Sequence, residues 1–114
     1  MKGLKLQGWL PNKQPPKERK NYVRNLAAQM VYARNNGHQT ETTLNEATDF
    51  IQEHVRYRIR ESKDWPANWG WVSRRSINRR LNEACEPSWY DDGVPRLASP
   101  RAGYWVPNPY RFKE

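Results

Sequence analysis

Residues 73–81 read Ser73-Arg74-Arg75-Ser76-Ile77-Asn78-Arg79-Arg80-Leu81, and this short stretch decides the fold. Serine is one of the side chains preferred at a helix N-cap, so Ser73 predicts a helix that continues to about Glu86. With about 100° between successive residues, the apolar positions of this helix share one side. They are Ile77, Leu81, Ala84 and Cys85.

The opposite side of this helix is polar and basic. On a helical wheel Arg75, Arg79 and Asn82 lie across from the apolar stripe, with Asn78 at its boundary, and no acid precedes Glu83. Arginine matches the major-groove edge of guanine, and asparagine that of adenine, each with two hydrogen bonds. The helix is therefore our candidate for base contact. The residues predicted to contact DNA are Ser73, Arg74, Arg75, Asn78, Arg79 and Asn82.

Two longer helices are predicted before this stretch. Apolar residues at the spacing of one helical stripe predict a helix over about 21–36, which ends before Gly37. Thr43 and Glu46 have the spacing of a capping box and predict a second helix over about 43–62. The short loop between the two helices indicates that they pack antiparallel or crossed.

Beyond Pro87 the pattern changes from helix to short strands. We predict a strand over 94–98, a turn over 99–103, and a second strand over 104–106 that Pro107 stops. Two short strands around a turn with glycine form a hairpin, here over about 93–107. Arg96 and Arg101 place cations on this hairpin or next to its tip.

Three further motifs follow the 73–81 stretch: Gly93-Val94-Pro95, Ala98-Ser99-Pro100 and Gly103-Tyr104-Trp105-Val106. With them, residues 70–107 resemble the winged-helix domains of small phage and mobile-element proteins. The resemblance implies a mainly α fold with a small β-hairpin (α+β), a winged helix-turn-helix of three main helices and a two-stranded wing. It also implies binding of double-stranded DNA, with the helix in the major groove. The wing would contact the backbone or the minor groove through Arg96, Ser99 and Arg101.

Charge also indicates a nucleic-acid partner. The 114 residues carry 20 Lys and Arg against 12 Asp and Glu, a net charge of +8, and 13 of the cations are Arg. Such a charge attracts polyanions. Residues 1–20 contain three prolines and predict a basic arm before a single domain over 21–114. The arm residues expected to contact phosphates are Lys13, Lys17, Arg19 and Lys20.

Other functions stay open at this point. The resemblance is compatible with a regulator, an excision factor or an origin binder, and winged helices also serve as protein-binding modules. The insert over 86–92 departs from the pattern by lengthening the link into the wing and adding acid near the predicted surface. A small phage-type inhibitor of a host nucleic-acid enzyme is an alternative, in which the basic face would mimic or occupy a polyanion site and exposed Trp and Tyr would be hot spots. The cluster Trp65-Pro66-Ala67-Asn68-Trp69-Gly70-Trp71 could stack on single-stranded DNA or RNA, although we favour a role in the core.

Catalysis is not expected. His38 and His54 lack partners at metal-ligand spacing, Cys85 falls on an apolar helix face, and Asp91-Asp92 before Gly93 is typical of a turn. We therefore expect no enzyme activity, no metal and no cofactor, with a metal nuclease using the Asp pair as the alternative. A lone cysteine and the lack of a membrane-spanning segment or a signal peptide predict a cytoplasmic protein, in the host cytoplasm or nucleoid. A homodimer formed through the first two helices is possible.

Overall fold

The computed structural model describes residues 16–36 and 41–109, where the chain is mainly helical with a small antiparallel sheet. The helices are α1 (Lys17–Asn36), α2 (Leu44–Arg60) and α3 (Arg74–Glu83). The strands are β1 (Thr42–Thr43), β2 (Leu97–Arg101) and β3 (Tyr104–Pro107). Short 3-10 turns, Ala67–Trp69 and Pro87–Trp89, lie in the connections. None of the described helices is long and apolar enough to cross a membrane.

Helices α1 and α2 pack antiparallel, one of the two arrangements expected. Near one end the Tyr22 hydroxyl lies 2.7 Å from His54 Nε2, and near the other Arg34 Nη2 lies 3.0 Å from Glu46 Oε2. The predicted apolar stripe of α1 faces the core. Its buried members are Val23, Ala27, Met30 and Val31, and Leu26 is partly buried.

The capping box predicted at the start of α2 is confirmed. The Glu46 amide donates to Thr43 Oγ1 at 3.1 Å, and the Thr43 amide donates to Glu46 Oε1 at 2.9 Å. These two bonds satisfy amides that the first turn of a helix leaves without partners. They set the start of α2 at Leu44.

The sheet has three strands in the order β1–β3–β2, which corrects the two-stranded hairpin we expected. Strand β1 pairs antiparallel with β3, with Thr42 opposite Trp105. The sequence did not predict β1 because a strand of two residues is too short to show the alternation of apolar and polar side chains. The hairpin strand predicted over 94–98 lies later, at Leu97–Arg101. The turn narrows to residues 102–103, where Gly103 has a φ of +83° that favours glycine, and β3 includes Pro107.

Helix α1 begins at Lys17 rather than near residue 21, which corrects the boundary of the predicted arm. Proline fits the start of a helix because its missing amide has no partner there, and Pro16 O accepts from the Lys20 amide at 3.2 Å. The last part of the predicted arm is therefore helical. Lys13 and Gly37 lie outside the described residues.

A buried cluster of charges joins α1 to α3. Arg24 donates from Nε and Nη2 to Glu83 Oε1 at 3.0 and 2.7 Å, and Arg80 donates from Nη2 to Glu83 Oε2 at 2.9 Å. The Arg24 and Arg80 side chains are only 5% and 4% exposed, and that of Glu83 is 12% exposed. Both oxygens of one carboxylate thus compensate two buried guanidinium groups. We call Arg24, Arg80 and Glu83 the buried charge cluster.

Helix α3 begins where the sequence predicts. Ser73 is its N-cap, and the Ser76 amide donates to Ser73 Oγ at 3.1 Å. The helix ends at Glu83, before the expected Glu86. Beyond Glu83 the chain tightens, with the Cys85 and Glu86 amides donating to Asn82 O and Glu83 O, and Pro87 disfavours helical backbone at Glu86. Ala84 O accepts the amides of Arg96 and Leu97, at 2.9 and 3.0 Å, and so joins the end of the helix to the start of β2.

The connection between α2 and α3, residues 61–73, is tied to the body by its tryptophans. The Trp65 and Trp69 rings meet edge-to-face with their centroids 5.0 Å apart, and Trp65 packs against the core. Trp65 Nε1 donates to Gly70 O at 2.8 Å. These two rings fit the core role that we favoured over base stacking, whereas Trp71 is 43% exposed.

We predict that Glu83→Gln lowers the free energy of unfolding by about 3–5 kcal/mol, because Arg24 and Arg80 would stay buried without a counter-charge. Urea unfolding followed by circular dichroism measures this change. Glu53→Gln is the matched control, since Glu53 pairs with Arg56 at an exposed site and its loss should cost less than about 1 kcal/mol. Equal effects of the two substitutions would contradict a structural role for the buried charge cluster.

A second prediction concerns pH. Burial lowers the pKa of His54 below 6.5, and the nearby Arg58 acts in the same direction while Asp64 opposes it. The unfolded chain then binds a proton at a pH where the folded ring is still neutral. Stability should therefore fall as the pH drops below about 6.5, down to the folded pKa of His54. Urea midpoints between pH 7.5 and 5 should show a weaker fall for His54→Gln; an unchanged slope would exclude His54 as its source.

Candidate nucleic-acid interface

The outer face of α3 forms one shallow cleft. Its lining includes the four residues that the helical wheel grouped together, Arg75, Asn78, Arg79 and Asn82. The helix buries Ile77, Arg80 and Leu81 on its other side. Three further residues line the same cleft: Glu83, Glu86 and Trp89. We call this set the α3 cleft.

The two arginines of the α3 cleft have no acidic partner. Arg75 and Arg79 are exposed, and neither forms a hydrogen bond or an ion pair with any residue in the described ranges. They lie one helical turn apart, where like charges repel and weaken a helix by a few tenths of a kcal/mol. Among the described residues, no acid forms an ion pair with either arginine to offset this repulsion.

The acids of the α3 cleft are engaged within the protein. Both oxygens of Glu83 accept from Arg24 and Arg80, so its charge is compensated internally. Glu86 Oε1 accepts from Trp89 Nε1 at 2.9 Å. A polyanion beside Arg75 and Arg79 would therefore meet little repulsion from Glu83, whereas Glu86 keeps its negative charge because an indole N–H is a neutral donor.

The first residues of α3 lie beside the first turn of α2. Arg74 Nη1 donates to Asn45 Oδ1, and Arg74 is exposed. The Ser73 hydroxyl accepts the amide that it caps, and a hydroxyl in that role still has its own proton to donate. Both predicted contact residues are thus exposed at the N-terminus of α3.

The structure places the three predicted contact residues of the hairpin in different surroundings. Arg101 lies next to the turn, pairs with Glu41 Oε1 at 3.0 Å, and stacks on the Tyr104 ring at 3.9 Å. The Ser99 hydroxyl instead lies 2.9 Å from Arg101 O and 2.8 Å from Tyr104 O, so it fastens the hairpin.

Arg96 lies just before β2, at the end of the hairpin away from its turn, where Arg96 O accepts the Asn108 amide at 3.1 Å, so it is not next to the tip. Its Nη1 lies 3.1 Å from Asp92 Oδ1 and 2.6 Å from Val94 O, and its guanidinium lies 4.1 Å from the centre of the Tyr90 ring. With these contacts the Arg96 side chain holds together the segment that leads into β2. In the sequence, Asp92 four residues before Arg96 was the local signal for this pairing.

The predicted contact residues of the arm also differ in their surroundings. Lys17 is exposed and Lys20 is half-buried on the first turns of α1. Arg19 is buried, and its Nη1 donates to Trp69 O at 2.9 Å and Trp71 O at 3.0 Å. Desolvation, with the nearby Arg80, lowers the pKa of Arg19. Arg19 therefore holds the 61–73 connection and is not positioned to contact a phosphate.

Within the part of the chain that the structure describes, no group of three His, Cys, Asp or Glu side chains could hold a metal ion. Cys85 is half-buried, and desolvation raises the pKa of its thiol to about 11. Asp92 pairs with Arg96. Comparison with known families, curated proteins and solved structures finds no match to this chain.

The position of Ser99 yields a prediction. Ser99→Ala should lower the free energy of unfolding by about 1 kcal/mol, because the hairpin loses a hydrogen bond that joins its two strands. Ser88→Ala is the control, since Ser88 is exposed in the Pro87–Trp89 turn. Urea unfolding of both variants checks this. If Ser99→Ala leaves the free energy of unfolding unchanged, the hydroxyl does not stabilise the hairpin and Ser99 is again a candidate DNA-contacting residue.

Proposed function

We propose that this chain is a non-enzymatic, sequence-specific binder of double-stranded DNA that inserts α3 into the major groove. The observation that carries the proposal is the α3 cleft. There, two arginines without acidic partners and two asparagines share the outer face of a helix whose other side is anchored in the core.

The chemistry of that face suits base edges. Arginine can donate two hydrogen bonds to guanine O6 and N7, and asparagine can bond adenine N6 and N7. Arg75 and Arg79 form one row along α3, and Asn78 and Asn82 form a second row with the same four-residue spacing. Each row spans about 6 Å, close to two base-pair steps of 3.4 Å. The four side chains could therefore contact neighbouring base pairs together.

A purely structural role does not account for this face. The core needs the inner side of α3, which supplies Ile77 and Leu81 to the hydrophobic cluster and Arg80 to the buried charge cluster. Apart from Glu83, the outer side adds nothing to these contacts, and it carries repulsive arginines. An ordinary solvated helix surface would pair such cations with acids one turn away. Here the acid one turn after Arg79, Glu83, is already paired with Arg24 and Arg80.

The order of elements supports a winged-helix arrangement. Three helices are followed by a hairpin with Arg101 beside its turn. Arg101 pairs with Glu41, close in sequence to Asn45, which bonds Arg74 at the start of α3. The hairpin turn and the start of α3 thus both contact residues around the start of α2. The 61–73 connection is longer than the three- to four-residue turn of a minimal helix-turn-helix, and its tryptophans pack it onto the body.

Selection from a random duplex library at about 150 mM salt tests the proposal, since this ionic strength screens weak phosphate attraction. An enriched motif is expected. Arg79→Ala should then weaken binding to that motif by about 1–3 kcal/mol and relax the preference at one base pair. Fluorescence anisotropy with motif and random duplexes measures both effects.

Arg60→Ala is the matched control for this test. Arg60 is exposed on the last turn of α2 and is not among the residues that line the α3 cleft, so the variant removes the same charge outside the cleft. It should weaken motif and random DNA equally and only slightly. If Arg79→Ala behaves like Arg60→Ala, or if no motif is enriched, the proposed base contacts of α3 are wrong.

A further inference from the structure

Trp89 places a large apolar ring beside the polar side chains of α3. It belongs to the Pro87–Trp89 turn that follows α3, lines the α3 cleft together with Arg79 and Asn82, and is 44% exposed. In the sequence this segment is only an insert that lengthens the path into the hairpin. In the structure it adds an indole to the candidate DNA-contacting surface.

The Trp89 ring is held in place by two contacts. The Arg24 guanidinium lies 4.3 Å from the ring centre, and Trp89 Nε1 donates to Glu86 Oε1 at 2.9 Å. Arg24 is itself fixed by Glu83 in the buried charge cluster. The ring therefore rests on a support that belongs to the core, and its only polar atom is already engaged.

An indole held in this way has no free hydrogen-bonding group and offers a ligand its apolar ring. In the major groove, thymine is the base that presents a methyl group, at C5, whereas the other bases are distinguished there by their hydrogen-bond donors and acceptors. An apolar ring next to Arg79 and Asn82 thus complements a thymine beside the base pairs that those residues contact. Stacking on Arg24 alone would not require the ring to line this cleft.

Resting on the proposed function, we infer that Trp89 contacts a thymine methyl group in the major groove and selects thymine at one position of the binding site. The contact adds a preference that hydrogen bonds from α3 do not supply. It also gives the 86–92 insert a role in recognition.

Replacing thymine by deoxyuridine tests this inference, because the exchange removes only the methyl group. Each thymine of the selected motif is changed in turn, and the Kd of the full chain is measured by anisotropy. One position should bind about fourfold more weakly as uracil, the factor expected for loss of one buried methyl worth about 0.8 kcal/mol. In Trp89→Ala, thymine and uracil at that position should bind equally.

Two further variants complete the test. Trp71→Ala removes another exposed tryptophan, outside the α3 cleft, and should keep the full thymine preference. Trp89→Phe retains a ring to stack on Arg24 and should keep part of the preference, so it serves if circular dichroism shows that Trp89→Ala does not fold.

The outcomes separate this inference from the proposed function. If a motif is enriched but no position distinguishes thymine from uracil, or if Trp89→Ala weakens both duplexes equally, the thymine contact is wrong and DNA binding stands. A motif without thymine overturns the contact as well. If no motif is enriched, both the proposed function and the contact fail.

Discussion

The structure depends on the compensation of buried charge between α1 and α3. A guanidinium group removed from water is tolerated only when a carboxylate and hydrogen bonds replace its hydration. Glu83 does this for two arginines at once, with one oxygen accepting from Arg24 and the other from Arg80. Because this geometry is directional, α3 cannot rotate against α1 without leaving a buried cation unpaired.

That constraint acts together with the burial of Ile77 and Leu81 to fix which side of α3 faces outward. Arg80 is drawn inward with Ile77 and Leu81, and Arg75 and Arg79 are left in the α3 cleft. Arg24 extends the effect to the next segment by supporting the Trp89 ring. The candidate recognition surface is therefore arranged by an interaction that lies almost entirely beneath it.

The arrangement has an energetic cost. Desolvation lowers the pKa values of both Arg19 and Arg80, which also repel each other, and the Nε atoms of both residues are buried without a partner among the described residues. Arg19 offsets part of its cost by donating to two carbonyls of the 61–73 connection. Buried ion pairs contribute little net stability compared with apolar packing, and their directional geometry can favour one arrangement over others. Here that arrangement is the one that presents the α3 face.

The sequence alone determined the features that depend on local spacing. The capping box at Thr43, the N-cap at Ser73 and the shared outer face of Arg75 and Arg79 follow from helical periodicity, which the backbone imposes within a few residues. Only the tertiary structure decided the partners that charged residues find far away in the sequence. Arg24 and Glu83 are 59 residues apart, and Arg19 and Trp71 are 52 apart, so no local pattern relates them. Arginine looks the same in a sequence whether it contacts a phosphate, a carboxylate or a carbonyl, and the packing of the helices selects among these partners.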